Sequence, residues 1–368
     1  MQKYLPLKFN TIFATLTTST TRFLRIFVTI IFFVCVYSSG VYSNFYMISA
    51  ANPHAVKAGF EILKDGGSAV DATIAAQMVL TLVEPQSSGI GGGAFLLNYQ
   101  PSPNPDQNNS VIHAYDGRET APSSVSEYLF FDEDYQLIPW KIRSAGGKSV
   151  GVPGLLRMLE IAHQKHGTLP WSLLFQPAIN LAEKGFAVSP RLHKMIRRNR
   201  HLKSFASSRK YFYSDSGDPW PIGHILRNPA LAKTLKIIST EGSGAFYNGE
   251  ISRDIVSAVN NTKHLPANIK VVDLENYKAK IRKPLCRSYR KWRVCGMPPP
   301  TSGGSTVIQI LKLIERFNFS KIRPGSVYAV HLISEASRLA FADRNQYIAD
   351  PDFIKIPLTA LFEPSYIK

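Results

Sequence analysis

Acidic residues are scarce in this chain, and none occurs before Glu61. With 26 Asp and Glu against 43 Lys and Arg, the formal charge is +17, so the surface attracts anions, whether acidic small molecules, membrane headgroups or nucleic acid. Cysteine is scarcer still: there are three in 368 residues, with no C-x-x-C and no zinc-type spacing. H-E-x-x-H is missing, which removes the zincin metalloprotease reading. No internal repeat is visible. Apolar residues are not lacking; at 45% they suffice for one large or two ordinary domains and exclude a disordered chain.

Lys3, Lys8, Arg22 and Arg25 precede the apolar run Ile26 to Tyr37, and small residues follow at Ser38, Ser39 and Gly40. That order fits an export signal, and the run is short of the roughly 20 residues a membrane span needs. Residues 1–43 therefore read as a signal peptide, which the small residues favour, or as an uncleaved N-terminal membrane anchor. Residues 44–368 read as the folded region. Cys35 lies in the apolar run. Cys286 and Cys295 flank a stretch that reads as a hairpin with its turn near Tyr289 to Lys291, and two readings stand: a cross-strand disulfide or two buried thiols.

Tyr46 to Ala50 reads as a short strand. Pro53 to Lys64 reads as a helix stopped by Gly66-Gly67. Ser68 is placed to cap the next helix with Asp71 as its acidic partner, and Ala69 to Val83 is apolar almost all round, so that helix must be buried. Strands follow at Ala94 to Tyr99 and Val111 to Tyr115, the second ending at Asp116-Gly117. The middle of the chain is mostly helical, with two helices between Leu155 and Gly185. Strand character returns at Lys280 to Cys295, followed by helices through Leu313 and from Tyr328 to Gln346.

Three local patterns imitate familiar sites. Gly89-Ile90-Gly91-Gly92-Gly93-Ala94 has the letters of a dinucleotide loop, but a helix precedes it and a strand follows, the reverse of the required order. Gly146-Gly147-Lys148-Ser149 ends like a phosphate loop, yet Ile142 stands where its first glycine is needed. Arg191 to Lys210 holds eight cations and no acid, but only Phe205 is interleaved, so a solvated helical face fits better than a nucleic-acid patch.

Asp116-Gly117-Arg118-Glu119-Thr120-Ala121-Pro122 is more informative. It sets an arginine just past a strand end on a glycine turn, where a planar fork of donors can grip a carboxylate at two points. Alone the pattern is weak. Joined to Asp65 to Ala72, Glu84 to Gly93, Ser149 to Gly154, Met297 to Gly304, Ala342-Asp343-Arg344 and Asp350 to Phe353, it resembles the γ-glutamyltransferase (glutathione hydrolase) family across nearly all of Met47 to Lys368. Ser68, where the family usually has Asn, and Thr301, where it often has Ser, are conservative departures.

The resemblance implies an α/β (α+β) fold, an αββα four-layer sandwich of the N-terminal-nucleophile hydrolase type, incomplete without a small subunit. It implies cleavage of the γ-glutamyl bond of glutathione and transfer of that group to water or to amino acids. Relatives that act on poly-γ-glutamate or on acyl-β-lactams leave the substrate open between these classes. Arg118 would grip the α-carboxylate of the γ-glutamyl group and Glu119 would steady its guanidinium. The nucleophile would be a threonine, activated by its own amino group, at the start of a small subunit downstream of Lys368; this chain alone is then expected to be inactive. No metal, cofactor or nucleic acid is implied. The expected location is exported, periplasmic or extracellular, with membrane contact only through an uncleaved N-terminal segment.

Overall fold

The computed structural model describes residues 46–102 and 110–367. The signal-or-anchor reading of 1–43, and Cys35 with it, lies outside these residues. Among the described residues no helix is long and apolar enough to cross a membrane.

Helix α1, Pro53–Lys64, starts where Asn52 Oδ1 accepts the His54 N–H at 3.0 Å, with proline in the first turn where its missing N–H costs nothing. It stops at Gly66, whose φ of 88° suits glycine. Helix α2, Ala69–Val83, opens with the expected capping box: the Asp71 N–H donates to Ser68 Oγ at 3.1 Å, and the Ser68 N–H donates back to Asp71 Oδ2 at 2.9 Å. Its residues are buried on nearly every side, Ile74, Met78 and Leu82 among them. Gly59 lets α1 approach closely, since a Cβ there would sit 3.0 Å from the Ala72 carbonyl oxygen and overlap Ile48.

Strands β1, Ala94–Gln100, and β2, Val111–Gly117, pair antiparallel with Leu96 opposite Tyr115 and Ala94 opposite Gly117. Strand β3, Lys280–Arg282, adds to the other edge of β2, with Lys280 opposite Asp116 and Arg282 opposite Ala114. Helices α3, Leu155–His166, and α4, Trp171–Lys184, join α1 and α2 in one core. Helix α5, Pro190–Arg198, carries much of the basic stretch and buries Leu192 and Ile196 on one side, leaving its cations outward. The fold is mixed helix and strand, as expected.

Strands β4, Leu285–Tyr289, and β5, Trp292–Gly296, form the expected hairpin, with Cys286 opposite Cys295 and joined to it as a disulfide. Helices α6, Gly303–Ile314, and α7, Val327–Tyr347, follow. One expectation is corrected: Tyr46 to Ala50 forms no strand among the described residues. Alternating apolar residues mark an extended segment, but they do not supply a ladder partner, and here Ile48 simply packs beside Gly59.

Candidate functional site

The site forms where β2 runs out. Asp116 is buried, and its carboxylate is split between two tasks: Oδ1 accepts the Arg118 N–H at 2.9 Å, and Oδ2 accepts Arg282 Nε at 2.6 Å. The first bond turns the chain and carries Arg118 out past the sheet. The Arg118 carbonyl accepts the Tyr277 hydroxyl at 2.7 Å. Its backbone is thus held at both N–H and C=O, while its guanidinium makes no hydrogen bond or ion pair with any described residue. It lines a cleft of about 250 Å³ together with Glu119, Tyr277, Lys278, Pro300 and Asp350.

Arg282 is the keystone beneath that cleft. Besides Asp116 it holds Asp352, with Nη2 at 2.7 Å from Oδ2 and Nη1 at 3.3 Å from Oδ1, and Lys280 joins the same carboxylate. Burial works against the Arg282 charge, but the bonds to Asp352 and Asp116 outweigh it and hold its proton more tightly than usual. Hydrogen bonds from Arg282 and Lys280 push the Asp352 carboxyl well below the ordinary range. Burial raises the Tyr277 pKa, and the nearby charges of Asp116 and Glu119 raise it further, so the phenol remains a donor to Arg118.

Glycines let these pieces meet. Both the Gly154 and Leu155 N–H groups donate to the Gly92 carbonyl, at 3.0 and 3.1 Å, and Thr120 exchanges backbone bonds with Val152. A Cβ on Gly154 would lie 2.3 Å from the Gly117 carbonyl oxygen and collide with the Tyr277 hydroxyl. Gly154→Ala should therefore displace Tyr277 and lower unfolding stability by about 1–3 kcal/mol, the usual cost of overpacking. Denaturant melts matching the wild type would refute that tight packing.

The glycine loop, the 116–122 turn, the 149–154 segment and the acids at 350 and 352 all gather here. The 65–72 segment does not; it pins α2 instead. Nor does Glu119 clamp Arg118: no ion pair joins them, and its carboxylate lies against Gly92 and Gly93, so close that a Cβ on Gly93 would overlap Oε2 at 2.6 Å. A side chain adjacent in sequence leaves this turn in another direction. The sequence reading missed Arg282, Lys280 and Tyr277. The first two carried a usable signal, because a two-residue spacing on a strand places both on one face.

Among the described residues no group of three or more His, Cys, Asp or Glu gathers to hold a metal.

The mixed fold is shared with solved transpeptidase structures: Helicobacter pylori gamma-glutamyltranspeptidase superposes with a TM-score of 0.81 at 34% identity, over 88% of this chain and 90% of that one. The family model for gamma-glutamyltranspeptidase matches residues 55–368, and the chain belongs to that family. It is 36% identical over 322 residues to a glutathione hydrolase proenzyme of Bacillus subtilis strain 168, covering 88% of this chain and 53% of the relative. To a glutathione hydrolase proenzyme of Escherichia coli K12 it is 35% identical over 324 residues, covering 88% of this chain and 54% of the relative. The chain thus spans about half the length of these curated relatives.

Proposed function

We propose that this chain forms the γ-glutamyl-binding portion of an exported γ-glutamyltransferase or glutathione hydrolase. The observation that carries the reading is the Arg118 guanidinium: fixed in position through its backbone, unpartnered, and on a cleft. Arg118 is exposed at the cleft, and a cation held there without a partner suits a ligand carboxylate, its planar fork one bound at two points. The cleft also offers acids, Glu119 and Asp350, on the same wall system. A γ-glutamyl group is a zwitterion at its α-carbon, so Arg118 would take the carboxylate while Glu119 supplies negative charge for the ammonium. Arg282 and Asp116 are occupied with each other and the Tyr277 hydroxyl with the Arg118 carbonyl, so all three serve as positioning residues.

The chemistry is nucleophilic acyl transfer. In this reading a threonine, contributed by small-subunit polypeptide outside this sequence and activated by its own amino group, attacks the γ-carbonyl. An ester forms as the amine of the donor leaves with a proton, and water or an acceptor amine then releases the γ-glutamyl group. The same polypeptide would complete an αββα sandwich. An exposed apolar surface supports this: α7 buries only small residues, Ala329, Ala336 and Ala340, along one stripe, while Val327 is 88% exposed and Tyr328, Val330, Leu339 and Phe341 are also uncovered. So large an uncovered apolar face on one helix is what a protein partner normally hides.

Co-expression with a family small subunit should give turnover of γ-glutamyl-p-nitroanilide and raise the soluble yield, whereas the chain alone should aggregate and release no p-nitroaniline. A monodisperse, cooperatively melting chain that hydrolyses the substrate unaided would overturn the subunit reading. A soluble complex with no activity would overturn the assignment of the reaction.

A further inference from the structure

The basic stretch from Arg191 to Lys210 plays no part in the cleft around Arg118, yet it builds two adjoining cavities of its own. One is an open groove of about 570 Å³ with Lys141, Arg198, Arg200 and His201 on its walls. The other is a smaller hole of about 200 Å³ walled by Leu192, Ile196, Leu202 and Phe212. Gln86, Met195 and Asn199 line both, so the apolar hole opens beside the cationic groove. The side chains of Lys141, Arg198 and Arg200 make no hydrogen bond or ion pair among the described residues. Glu84, two positions before Gln86, is buried and already paired with Arg191, with Nε 3.0 Å from Oε2.

Gln86 adds a directional element. Its Nε2 donates to Glu84 Oε2, which commits the carboxamide oxygen to the opposite side, and there Oε1 is buried with no donor. A buried acceptor left without a donor is costly, and a ligand N–H would satisfy it after a small rotamer adjustment. The neighbourhood thus asks for an anion, an N–H donor and an apolar group on one small framework.

We propose that this composite site binds the free C-terminal residue of a peptide ending in an apolar side chain. The terminal carboxylate meets Arg198, Arg200 and Lys141, the last amide N–H meets Gln86 Oε1, and the terminal side chain fills the hole beside Leu192 and Phe212. The groove exceeds what one carboxylate requires, leaving room for the preceding backbone. This site shares no lining residue with the Arg118 cleft, so its failure would leave the proposed reaction untouched.

The test is calorimetric titration of the chain co-expressed with a family small subunit, using acetyl-Ala-Ala-Phe as probe at low salt. The C-terminal amide should bind at least tenfold more weakly, and the analogue with an ester in place of the last N–H several-fold more weakly. N-acetylphenylalanine should fall below the tripeptide. Arg198→Glu with Arg200→Glu, both on the surface, should lose tenfold or more at an unchanged melting temperature. Equal binding of acid and amide, or of the double variant and wild type, would overturn the site; equal binding of the ester analogue would remove Gln86 from it; equal binding of N-acetylphenylalanine would remove the peptide.

Discussion

Arg118→Ala, assayed in the assembled enzyme, should reduce kcat/KM for γ-glutamyl-p-nitroanilide by about thirty- to several-thousandfold, mostly through KM. Losing one partner of a desolvated charge pair costs about 2–5 kcal/mol, and each 1.4 kcal/mol is a factor of ten. Because the guanidinium makes no hydrogen bond or ion pair with any described residue, the melting temperature should hardly move. That separates ligand binding from a structural role. Arg118→Lys should recover only part of the loss, since an ammonium is a point donor rather than a two-point fork. By contrast, Arg282→Ala should lower stability as well as activity, because it strands the buried Asp116 carboxylate and releases Asp352. Unchanged kinetics in Arg118→Ala would remove that residue from the site.

The helices were legible because their signals are local. Ser68 with Asp71 and Gly66 after Lys64 each act within one turn, so the order of residues carries the geometry. The hairpin at Cys286 and Cys295 was legible for the same reason, although whether the thiols join depends on a register that only the folded pair fixes. Partners far apart in the chain left less trace. Arg282 meets Asp116 across 166 positions, and Tyr277 meets Arg118 across 159. Composition announced the basic stretch, but not that its apolar side and Gln86 enclose a hole. Tyr46 to Ala50 marks the opposite failure, a strand pattern that folds without a strand to pair with.

Asp71 lies at the same boundary between local and distant. The sequence assigns it to the capping box, yet in the fold it also reaches the connection between α3 and α4. Fully buried, its Oδ2 accepts the N–H groups of Ser68, Thr168 and Leu169 at 2.9, 2.9 and 3.1 Å and the Thr168 hydroxyl at 2.8 Å. Its Oδ1 lies 3.6 Å from His163 Nε2. Burial alone would raise its pKa, but the bonds from Thr168, Ser68 and Leu169 outweigh it and hold the carboxyl below its ordinary value of 3.8. Asp71→Asn turns donors toward donors and removes the charge, so it should cost roughly 2–4 kcal/mol and lower the melting temperature by about 3–6 °C. A carboxyl with a depressed folded-state pKa contributes stability that is complete above its unfolded pKa and is lost as pH falls through the folded value. The gap between wild type and Asp71→Asn should therefore be constant near neutrality and shrink only below about pH 4. Guanidinium melts at pH 7 and pH 3 measure it directly. Equal midpoints at pH 7 would mean that Thr168 and Leu169 satisfy their N–H groups elsewhere, and a gap that widens in acid would mean the carboxyl is bound as its protonated form.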